Sequence, residues 1–488
     1  MKKIALYQFA DTSIHFAVSL EILRSEYLKN NEVYYCNWGQ KTLYPVRMAK
    51  SWVSLSGKTP RHISKLIRMS APTVNLSSHL DVDLKWVEVM VDGFSDQLKN
   101  ISDVAQLSTL NIDGIEPGAA VANELVTLVP DRDLSVINYL DLIILLIQSY
   151  LIVYSSTKNH ISKNSIEIVY VYNGRFLHER AVRDAALSLN LKCLLFETLR
   201  ERFQIREKGF HDRINNQKIM IDIWEESKLD LHEKIILGSN WFEGIHGKKN
   251  MFDTGSNNNF SAKKDFFVYY CSSDEEMVGF WDSWTEPLGN QYECILKLID
   301  IFSSQDDYQL LIKLHPSLNT KPLSVIKKMV SIPTKNNSML ITHEMNFSTY
   351  DLLNKSIGTL TIGSTIGVES AFYNKPVLLL ADAKYDELNL ADKAKTWDDV
   401  IVWIKKAKYF EFEEIRKRKI NSCIFGFYYS QAGIRFPHTD LVETNVSGAY
   451  RAEAFMGTNI AENNVIVVLR KILLVFKIFI YNLKIFKF

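Results

Sequence analysis

The chain has 488 residues, more than one ordinary hydrophobic core holds, so we expect two domains of roughly 200 to 250 residues each. With 47% hydrophobic and 23% charged residues but only 11 prolines and 20 glycines, the composition excludes a largely disordered protein. A formal net charge of +1 gives no indication of a nucleic-acid partner.

Cysteine usage and the amino terminus indicate an intracellular protein. None of the cysteines has the CxxC or CxxxC spacing of a metal or redox site. The chain has five: Cys36, Cys193, Cys271, Cys294 and Cys423. An odd, scattered set is typical of buried free thiols in a reducing compartment. The start of the chain carries two lysines, but its apolar stretch is short and Asp11 interrupts it. We therefore expect no export signal.

The first half alternates apolar strands with helices. The predicted elements are a strand at 4–9, a helix at 13–29, strands at 32–36, 166–172 and 192–196, a helix to residue 190 and a helical stretch at 216–237. The apolar run at 140–147 falls short of the about 20 residues of a membrane span. Asp141 and Gln148 interrupt it, which favours a buried helix.

The second half repeats the alternation. Strands are predicted at 265–271, 308–314, 338–342, 358–362 and 376–380, with helices at 290–302 and 348–355. Such alternation predicts two doubly wound parallel sheets, which we expect to face a central cleft. The predicted divisions are a Rossmann-like domain 1–243, a linker 244–262, a second Rossmann-like domain 263–435, a connecting segment 436–462 and a terminal helix 463–488.

The segment from Gly363 to Gly367 joins a strand to a helix through small residues, including Ser364 and Thr365. Such a turn leaves backbone N–H groups and hydroxyls free above the strand, at the positive end of a helix. A nucleotide phosphate is the natural occupant. Glu369, one turn further, is placed to accept from ribose hydroxyls. The pattern also fits a capped turn without a ligand.

A histidine follows another predicted strand in the run Lys313-Leu314-His315-Pro316. The proline favours an extended backbone at His315, which leaves the imidazole at the carboxyl edge of the sheet. There it can donate to a phosphate or a nucleobase, and Lys313 can add positive charge. The alternative is that His315 caps the next turn. If this strand and the one before Gly363 are neighbours, both motifs face one cleft.

Carboxylates also follow predicted strands. Ser272-Ser273-Asp274 comes after the strand at 265–271, where Asp274 is a candidate base or nucleophile. The alternative is that this cluster caps the next helix. Glu197 follows the strand at 192–196. One carboxylate from each half is a minimal set for sugar transfer, by analogy with glycoside hydrolysis. The alternative for Glu197 is a surface pair with Arg200 or Arg202.

Together the motifs resemble the capsule and lipopolysaccharide synthesis glycosyltransferases of GT-B type, most of all the retaining β-Kdo transferases that use CMP-Kdo. The likeness covers roughly residues 1–435 and is strongest over 165–380. The residues that carry it are Asn173-Gly174-Arg175, Glu197, Ser272-Ser273-Asp274, Lys313-Leu314-His315-Pro316, Gly363-Ser364-Thr365 and Glu369.

The resemblance implies a role for each motif. Asp274 would attack the anomeric carbon, and Glu197 would be the general acid/base near the acceptor. His315, Ser364 and Thr365 would hold the CMP phosphate and cytidine, and Arg175 would lie near the sugar carboxylate. The remaining donor-binding candidates are Ser272, Ser273, Asn173, Lys313 and Glu369. Neighbouring carboxylates compete for the catalytic roles: Glu179, Glu275 and Glu276.

We expect no metal and no cofactor, since CMP is a good leaving group and His315 with N–H groups can stabilise the phosphate charge. The Asp-x-Asp pairs Asp81-Val82-Asp83 and Asp131-Arg132-Asp133 lie in the first half. We expect both to be away from the nucleotide site, the second pair at the start of the apolar helix. Asp306-Asp307 precedes a strand, whereas ligands of such sheets bind beyond the carboxyl ends of the strands.

Residues 463–488 contain five basic residues, Arg470, Lys471, Lys477, Lys484 and Lys487, and no acidic ones. As a helix this segment is amphipathic, which is typical of a helix lying on an anionic membrane. The alternatives are a helix docked on the protein and a true span. We expect a peripheral protein on the cytoplasmic face of the inner membrane, acting on a nucleotide sugar and a lipid-linked or oligosaccharide acceptor.

Three other functions stay open at this point. A transferase could use a UDP- or GDP-sugar, and a sugar-nucleotide epimerase shares the two-domain plan. A non-catalytic scaffold of polysaccharide assembly would keep the fold without needing Asp274 or Glu197.

Overall fold

The computed structural model describes residues 1–9, 13–38, 61–77, 80–249, 264–273, 275, 284–345, 347–444 and 450–460. The strands are β1 (Lys3–Tyr7), β2 (Glu32–Cys36), β3 (Asn75–Ser77), β4 (Ile168–Tyr172), β5 (Lys192–Leu199), β6 (Arg202–Arg206), β7 (Asp265–Tyr270), β8 (Tyr308–Lys313), β9 (Ser338–Ile341), β10 (Gly358–Thr361), β11 (Val377–Leu379), β12 (Asp392–Lys393), β13 (Ile434–Arg435), β14 (Thr439–Glu443), β15 (Tyr450–Phe455) and β16 (Thr458–Asn459). The α-helices are α1 (Ser13–Leu28), α2 (Arg61–Ser70), α3 (Leu84–Leu98), α4 (Val104–Ser108), α5 (Gly118–Leu128), α6 (Leu140–Asn164), α7 (Leu177–Ser188), α8 (Arg213–Glu226), α9 (Leu231–Lys249), α10 (Gln291–Ser303), α11 (Leu323–Val330), α12 (Thr349–Lys355), α13 (Ile366–Phe372), α14 (Trp397–Lys406) and α15 (Phe412–Gln431).

The chain forms two compact units whose segments alternate along the sequence. The first unit comprises residues 1–125, 134–210 and the described part of 433–488. The second comprises residues 126–133 and 211–432. These bounds differ from the predicted 1–243 and 263–435, because a strand-and-helix pattern along the chain does not reveal which segments return to an earlier unit.

Aromatic packing explains why residues 211–243 group with the second unit. The Trp224 ring on α8 lies 5.3 Å from the Phe427 ring on α15, between centroids, and the Trp241 ring on α9 lies 5.4 Å from that of Phe425. Helix α9 continues to Lys249, so the predicted linker 244–262 is helical at its start. Its glycines suggested a loop, but a helix tolerates them. Residues 250–262 lie outside the described chain.

The first unit is built on a sheet of order β13-β6-β5-β4-β1-β2-β3. Strands β5, β4, β1, β2 and β3 are parallel, whereas at one edge β6 pairs antiparallel with β5 and β13 pairs antiparallel with β6. The strand order reverses between β1 and β4. In doubly wound sheets, ligands bind beyond the carboxyl ends of the strands at this switch point.

The antiparallel strand β6 corrects one prediction. It pairs with β5 so that Glu197 lies opposite Gln204. Strand β5 therefore runs to Leu199, and Glu197 lies within it and not beyond its end. The charged sequence around Glu201 and Arg202 obscured β6, because a strand that is only partly buried needs few apolar residues.

The second unit has a fully parallel sheet of order β12-β11-β10-β7-β8-β9. Alternate residues of β7 enter different cores: Phe267 and Tyr269 belong to one apolar cluster, and Phe266 and Val268 to another. A strand with both faces buried reads as a continuous apolar run, which is why β7, β8, β10 and β11 were predicted close to their observed bounds, whereas the two-residue β12 was not predicted. The switch point lies between β7 and β10. The prediction that both motifs face one cleft assumed that β8 and β10 are neighbouring strands. They are not neighbours, since β7 lies between them.

The apolar run at 140–147 lies in α6, which directly follows a short 3₁₀ turn at Val136–Tyr139. Within the described residues, the segment Val136–Asn164 is the one helix long and apolar enough to cross a membrane. Half of its most apolar window is buried inside the protein, with Leu146, Tyr150 and Val153 fully covered. The structure thus has this helix packed in the first unit.

Each unit contains a largely parallel sheet covered by helices, which confirms the predicted α/β class with two doubly wound, Rossmann-like domains. The five cysteines are free and buried, as predicted. The predicted connecting segment 436–462 contributes β14, β15 and β16 to the first unit as a small antiparallel sheet. The predicted helix at 463–488 lies outside the described residues.

Candidate functional site

Three of the predicted motifs meet at one edge of the second unit. Strands β8, β7 and β10 are neighbours in that order and run parallel. The segments that follow them, 314–317, 271–273 and 362–365, therefore emerge at the same carboxyl edge of the sheet. Two of these segments flank the switch point, where doubly wound sheets bind their ligands.

His315 is held in one tautomer. The Ser317 backbone N–H donates to Nδ1 of His315 at 3.2 Å, as His315 caps the 3₁₀ turn Pro316–Thr320. Because Nδ1 accepts this bond, the proton of the neutral imidazole lies on Nε2. Nε2 has no hydrogen-bond partner among the described residues. The sequence left open whether His315 caps a turn or binds a ligand. The structure allows both, because Nδ1 caps the turn and Nε2 is left to donate.

The surroundings keep His315 neutral. Burial lowers the pKa of His315, and the nearby Lys321 ammonium lowers it further against the opposing effect of Glu275. Two hydroxyls complete the cluster: Ser317 Oγ lies 2.7 Å from Nδ1 and Ser273 Oγ lies 3.0 Å from Ser317 Oγ. The imidazole is thus presented as a hydrogen-bond donor without charge.

Ser272 adds a second unsatisfied group. Its backbone is fixed by Gln291, whose side chain accepts from the Ser272 N–H at 2.6 Å and donates to the Ser272 carbonyl at 3.0 Å. Its hydroxyl is buried and has no hydrogen-bond partner within the described chain. A buried hydroxyl without a partner costs free energy, so a ligand atom at this position would be stabilising.

A pocket of about 130 Å³ opens beside these groups. Its lining includes Ser272, His315, Lys321, Tyr292 and Asp131. Pockets for whole drug-sized ligands are about 300–1,000 Å³, so this one has room for one ring or one phosphate. The Lys321 ammonium within it is paired with the Glu275 carboxylate at 2.5 Å.

The location of Asp131 corrects the prediction for the Asp-x-Asp pairs. Asp131 and Asp133 line the same pocket as His315, because residues 126–133 belong to the second unit. Two ion pairs hold this segment there: Arg132 forms a bidentate pair with Glu286 at 2.8 Å, and Asp133 pairs with Lys328 at 2.7 Å. The other pair caps α3 through Asp83.

The turn after β10 has the predicted form. Gly363 has a φ of +131°, which favours glycine. Thr361 Oγ1 accepts from the Gly363 and Ser364 amides at 3.3 and 3.1 Å. The Thr365 and Ile366 amides have no partner within the described residues, and the Thr365 side chain is exposed.

Two predicted donor-binding residues are engaged elsewhere. Glu369 is 3% exposed and accepts from the Tyr350 hydroxyl at 2.5 Å, which conflicts with a role as acceptor for ribose hydroxyls. Lys313 Nζ donates to the Phe347 carbonyl at 2.8 Å. Both residues looked available because sequence does not show which side chains a fold uses for its own packing. Asp274 and Glu276 lie outside the described residues.

A second cluster surrounds Glu197 in the first unit. The Thr198 N–H donates to Oε1 at 2.9 Å, and Asn173 Nδ2 donates to Oε2. Nε2 of His15 lies 3.6 Å from Oε1. Glu197 therefore does not form the predicted alternative surface pair with Arg200 or Arg202. These partners come from β5, from the turn after β4 and from α1.

The partners decide the charge of Glu197. Burial raises the pKa of its carboxyl, but His15, Asn173 and the Thr198 amide together outweigh burial, so the pKa lies below its ordinary value. Glu197 is thus ionised at neutral pH. An ionised carboxylate can accept a proton but has none to give, so the cluster suits a general base and not the acid half of the predicted role.

The other first-unit candidates border the same cluster. Burial raises the pKa of the Tyr172 hydroxyl, and Glu197 and Glu179 raise it further while Arg175 opposes them. Arg175 lies 4.6 Å over the Phe176 ring. His15 and Tyr172 were missed in the sequence, since no local motif marks them. His15 and Tyr172 are brought together by the sheet topology, which places the start of α1 and the end of β4 at one edge of the sheet.

Among the described residues, no group of three or more His, Cys, Asp or Glu side chains is placed to hold a metal ion.

Residues 257–409 match the model of a protein family described as capsule polysaccharide biosynthesis protein. The matched segment contains Ser272, His315 and Ser364, so the resemblance predicted from these motifs is confirmed over this part of the chain. A search of curated proteins gives no match.

Solved structures that are similar to the chain include transferases and epimerases. The Thermosulfurimonas dismutans KpsC β-Kdo 2,7 transferase is 11% identical with a TM-score of 0.34, covering 61% of this chain and 85% of its own. UDP-GlcNAc 2-epimerase from Neisseria meningitidis is 14% identical with a TM-score of 0.32, covering 88% and 97%. The S. aureus MnaA–UDP co-structure is 12% identical with a TM-score of 0.27, covering 88% and 94%. At these scores the similarity is too slight to assign an activity.

Proposed function

We propose that the chain is a glycosyltransferase of bacterial capsule or lipopolysaccharide synthesis that transfers a sugar from a nucleotide donor to a lipid-linked or glycan acceptor. The observation that carries the proposal is that the His315 imidazole, with its proton on Nε2, and the unpartnered Ser272 hydroxyl line one pocket at the carboxyl edge of the sheet of the second unit. The family match over residues 257–409 includes this edge.

In this proposal the second unit binds the donor nucleotide. His315 donates from Nε2 to a phosphate oxygen, and Ser272 donates from its hydroxyl. The turn at Ser364 and Thr365 offers backbone N–H groups to the same charge. These fixed donors stabilise the leaving phosphate as the bond to the sugar breaks, without reorganising.

Glu197 of the first unit serves the acceptor. As an ionised carboxylate it takes the proton of the attacking hydroxyl. Asp274 is proposed as the carboxylate that attacks the anomeric carbon, which would make the enzyme retaining. We favour CMP-Kdo as the donor, on the resemblance of the motifs, and propose that residues 463–488 attach the enzyme to the cytoplasmic face of the inner membrane.

A ligand-stabilisation screen tests the nucleotide site. The purified full chain is heated with CMP, UDP, GDP and TDP, since a ligand that binds only the folded state raises Tm as its concentration exceeds Kd. We expect CMP to raise Tm in the wild type and to lose this effect in His315→Ala. A shift with UDP or GDP alone would keep the transferase and discard Kdo as the sugar. No shift with any nucleotide would contradict the proposal and favour a scaffold.

A further inference from the structure

We infer that His15 is a positioning residue that holds the Glu197 carboxylate in place to receive a proton from the acceptor hydroxyl. The inference rests on the proposed function, because that function gives Glu197 the acceptor side of the reaction. In the step concerned, the acceptor O–H bond breaks and its proton passes to Glu197. The oxygen forms a bond to the anomeric carbon, and the leaving group departs from that carbon with its electron pair.

Packing fixes the imidazole of His15. The residue lies in the first turn of α1, and its ring rests on that of Tyr172 with 4.2 Å between centroids and 37° between planes. Its side chain is 16% exposed, and Nε2 lies 3.6 Å from Glu197 Oε1. The same ring approaches the Thr198 hydroxyl at 3.5 Å. His15 is thus held against one oxygen of the carboxylate.

The other oxygen is held by Asn173. This residue and Gly174 both have left-handed backbones, with φ of 52° and 73°, which turn the Asn173 amide toward Glu197 Oε2. A carboxylate only accepts, so the amide nitrogen must face it. The Asn173 carbonyl oxygen is then left buried, without a partner within the described chain. Both oxygens of Glu197 have defined donors, so the carboxylate has one orientation.

The elements around Glu197 contribute both charged and neutral side chains. Helix α1 contributes His15, β4 contributes Tyr172, the segment before α7 contributes Arg175 and the first turn of α7 contributes Glu179. Across the strand pair, β6 contributes the neutral Gln204. Glu179 is buried and, like Glu197, raises the pKa of the Tyr172 hydroxyl. Without His15, one of the contributions that lower the Glu197 pKa is lost, so the carboxyl would bind its proton at a higher pH and be a poorer base under acidic conditions.

The substitutions His15→Phe and His15→Gln test the inference. Phenylalanine keeps a ring against Tyr172 but removes the nitrogen, whereas glutamine keeps a donor. In full-length protein labelled at the glutamate carboxyl carbon, NMR follows the titration of Glu197, whose signal is identified by its loss in Glu197→Gln. We expect His15→Phe to raise the Glu197 pKa by about one unit or more, and His15→Gln to raise it less. The exposed His232 on α9 supplies the control, His232→Phe, which should leave this pKa unchanged.

The pH profile of sugar transfer provides the second readout. Since Glu197 must be ionised, the rate rises with pH through its pKa, and His15→Phe should move this acid limb to higher pH while KM for the donor stays the same. A merely structural role would lower kcat equally at every pH. An unchanged Glu197 pKa in His15→Phe, or an unmoved acid limb, overturns the inference. If His15→Phe raised the Glu197 pKa but the wild type transferred no sugar, the His15–Glu197 coupling would stand and the proposed function would be refuted.

Discussion

A buried ion-pair network in the second unit allows a quantitative test of the fold. Arg213, at the start of α8, forms a bidentate pair with Asp386 at 2.6 and 2.7 Å. The side chains are 9% and 1% exposed. Asp386 also accepts from Lys393 at 2.8 Å and from Gln217 at 2.7 Å. Substituting Arg213→Met removes the guanidinium while keeping most of the apolar stem.

The expected cost follows from the partners that remain. Removing one member of a buried pair typically costs about 3–5 kcal/mol, because the other charge stays buried. Since Lys393 and Gln217 still hold Asp386, we expect the lower end, about 3 kcal/mol. For a unit of about 230 residues, each kcal/mol lowers Tm by about 2–4 °C, so the second unit should melt about 6–12 °C lower. Arg213→Lys keeps the charge but loses the bidentate geometry, so its Tm should lie between those of the wild type and Arg213→Met.

Scanning calorimetry of the full chain measures this shift. The matched control is Lys335→Met, because Lys335 and Asp300 form a pair with the same 2.6 Å separation but with side chains 52% and 56% exposed. Exposed pairs contribute little, so the control should leave Tm unchanged. If Arg213→Met lowered Tm no more than the control does, the assigned role of the buried network would be wrong.

Two further predictions concern one helix contact and the histidine at the nucleotide site. A Cβ on Gly238 of α9 would overlap the Cys423 backbone of α15, so Gly238→Ala should destabilise by about 1–3 kcal/mol in urea unfolding. Gly244→Ala on the same helix meets no atom within 4 Å and should stabilise by about 0.5–1 kcal/mol; equal effects of both would refute the packing argument. Ser317→Pro removes the N–H that donates to His315 Nδ1, so it should reduce the Tm shift with nucleotide, whereas Ser317→Ala keeps that N–H and should retain most of it. A full nucleotide shift in Ser317→Pro would show that the tautomer does not matter.

Much of the fold could be predicted from the sequence, because strands buried on both faces are apolar throughout. Strands β2, β7 and β8 follow directly from such runs. Strand β6 could not, because this antiparallel strand is specified by its pairing with β5 and its own sequence begins and ends with arginine. The location of residues 126–133 also escaped prediction, since it depends on the pairs of Arg132 and Asp133 with distant residues.

The candidate site was predictable as far as strand ends and turns reveal it. His315 and the turn at Gly363 were found because each follows an apolar strand. Their environment was not, because the burial of Glu369 beneath Tyr350 is a tertiary contact. The role of Ser317 had a local signal, since a residue two positions after a capping histidine can donate to it. His15 had none, because it reaches Glu197 through the sheet topology.

The most direct test of the central claim is product formation. The full chain is incubated with CMP-Kdo, UDP-sugars or GDP-sugars and lipid-linked oligosaccharide acceptors, and the acceptors are analysed by mass spectrometry. We expect the acceptor to gain one sugar with the wild type and CMP-Kdo as donor, and no sugar with Glu197→Gln or Asp274→Asn. Wild-type protein that binds a nucleotide but adds no sugar from any donor, or variants that transfer as fast as the wild type, would contradict it.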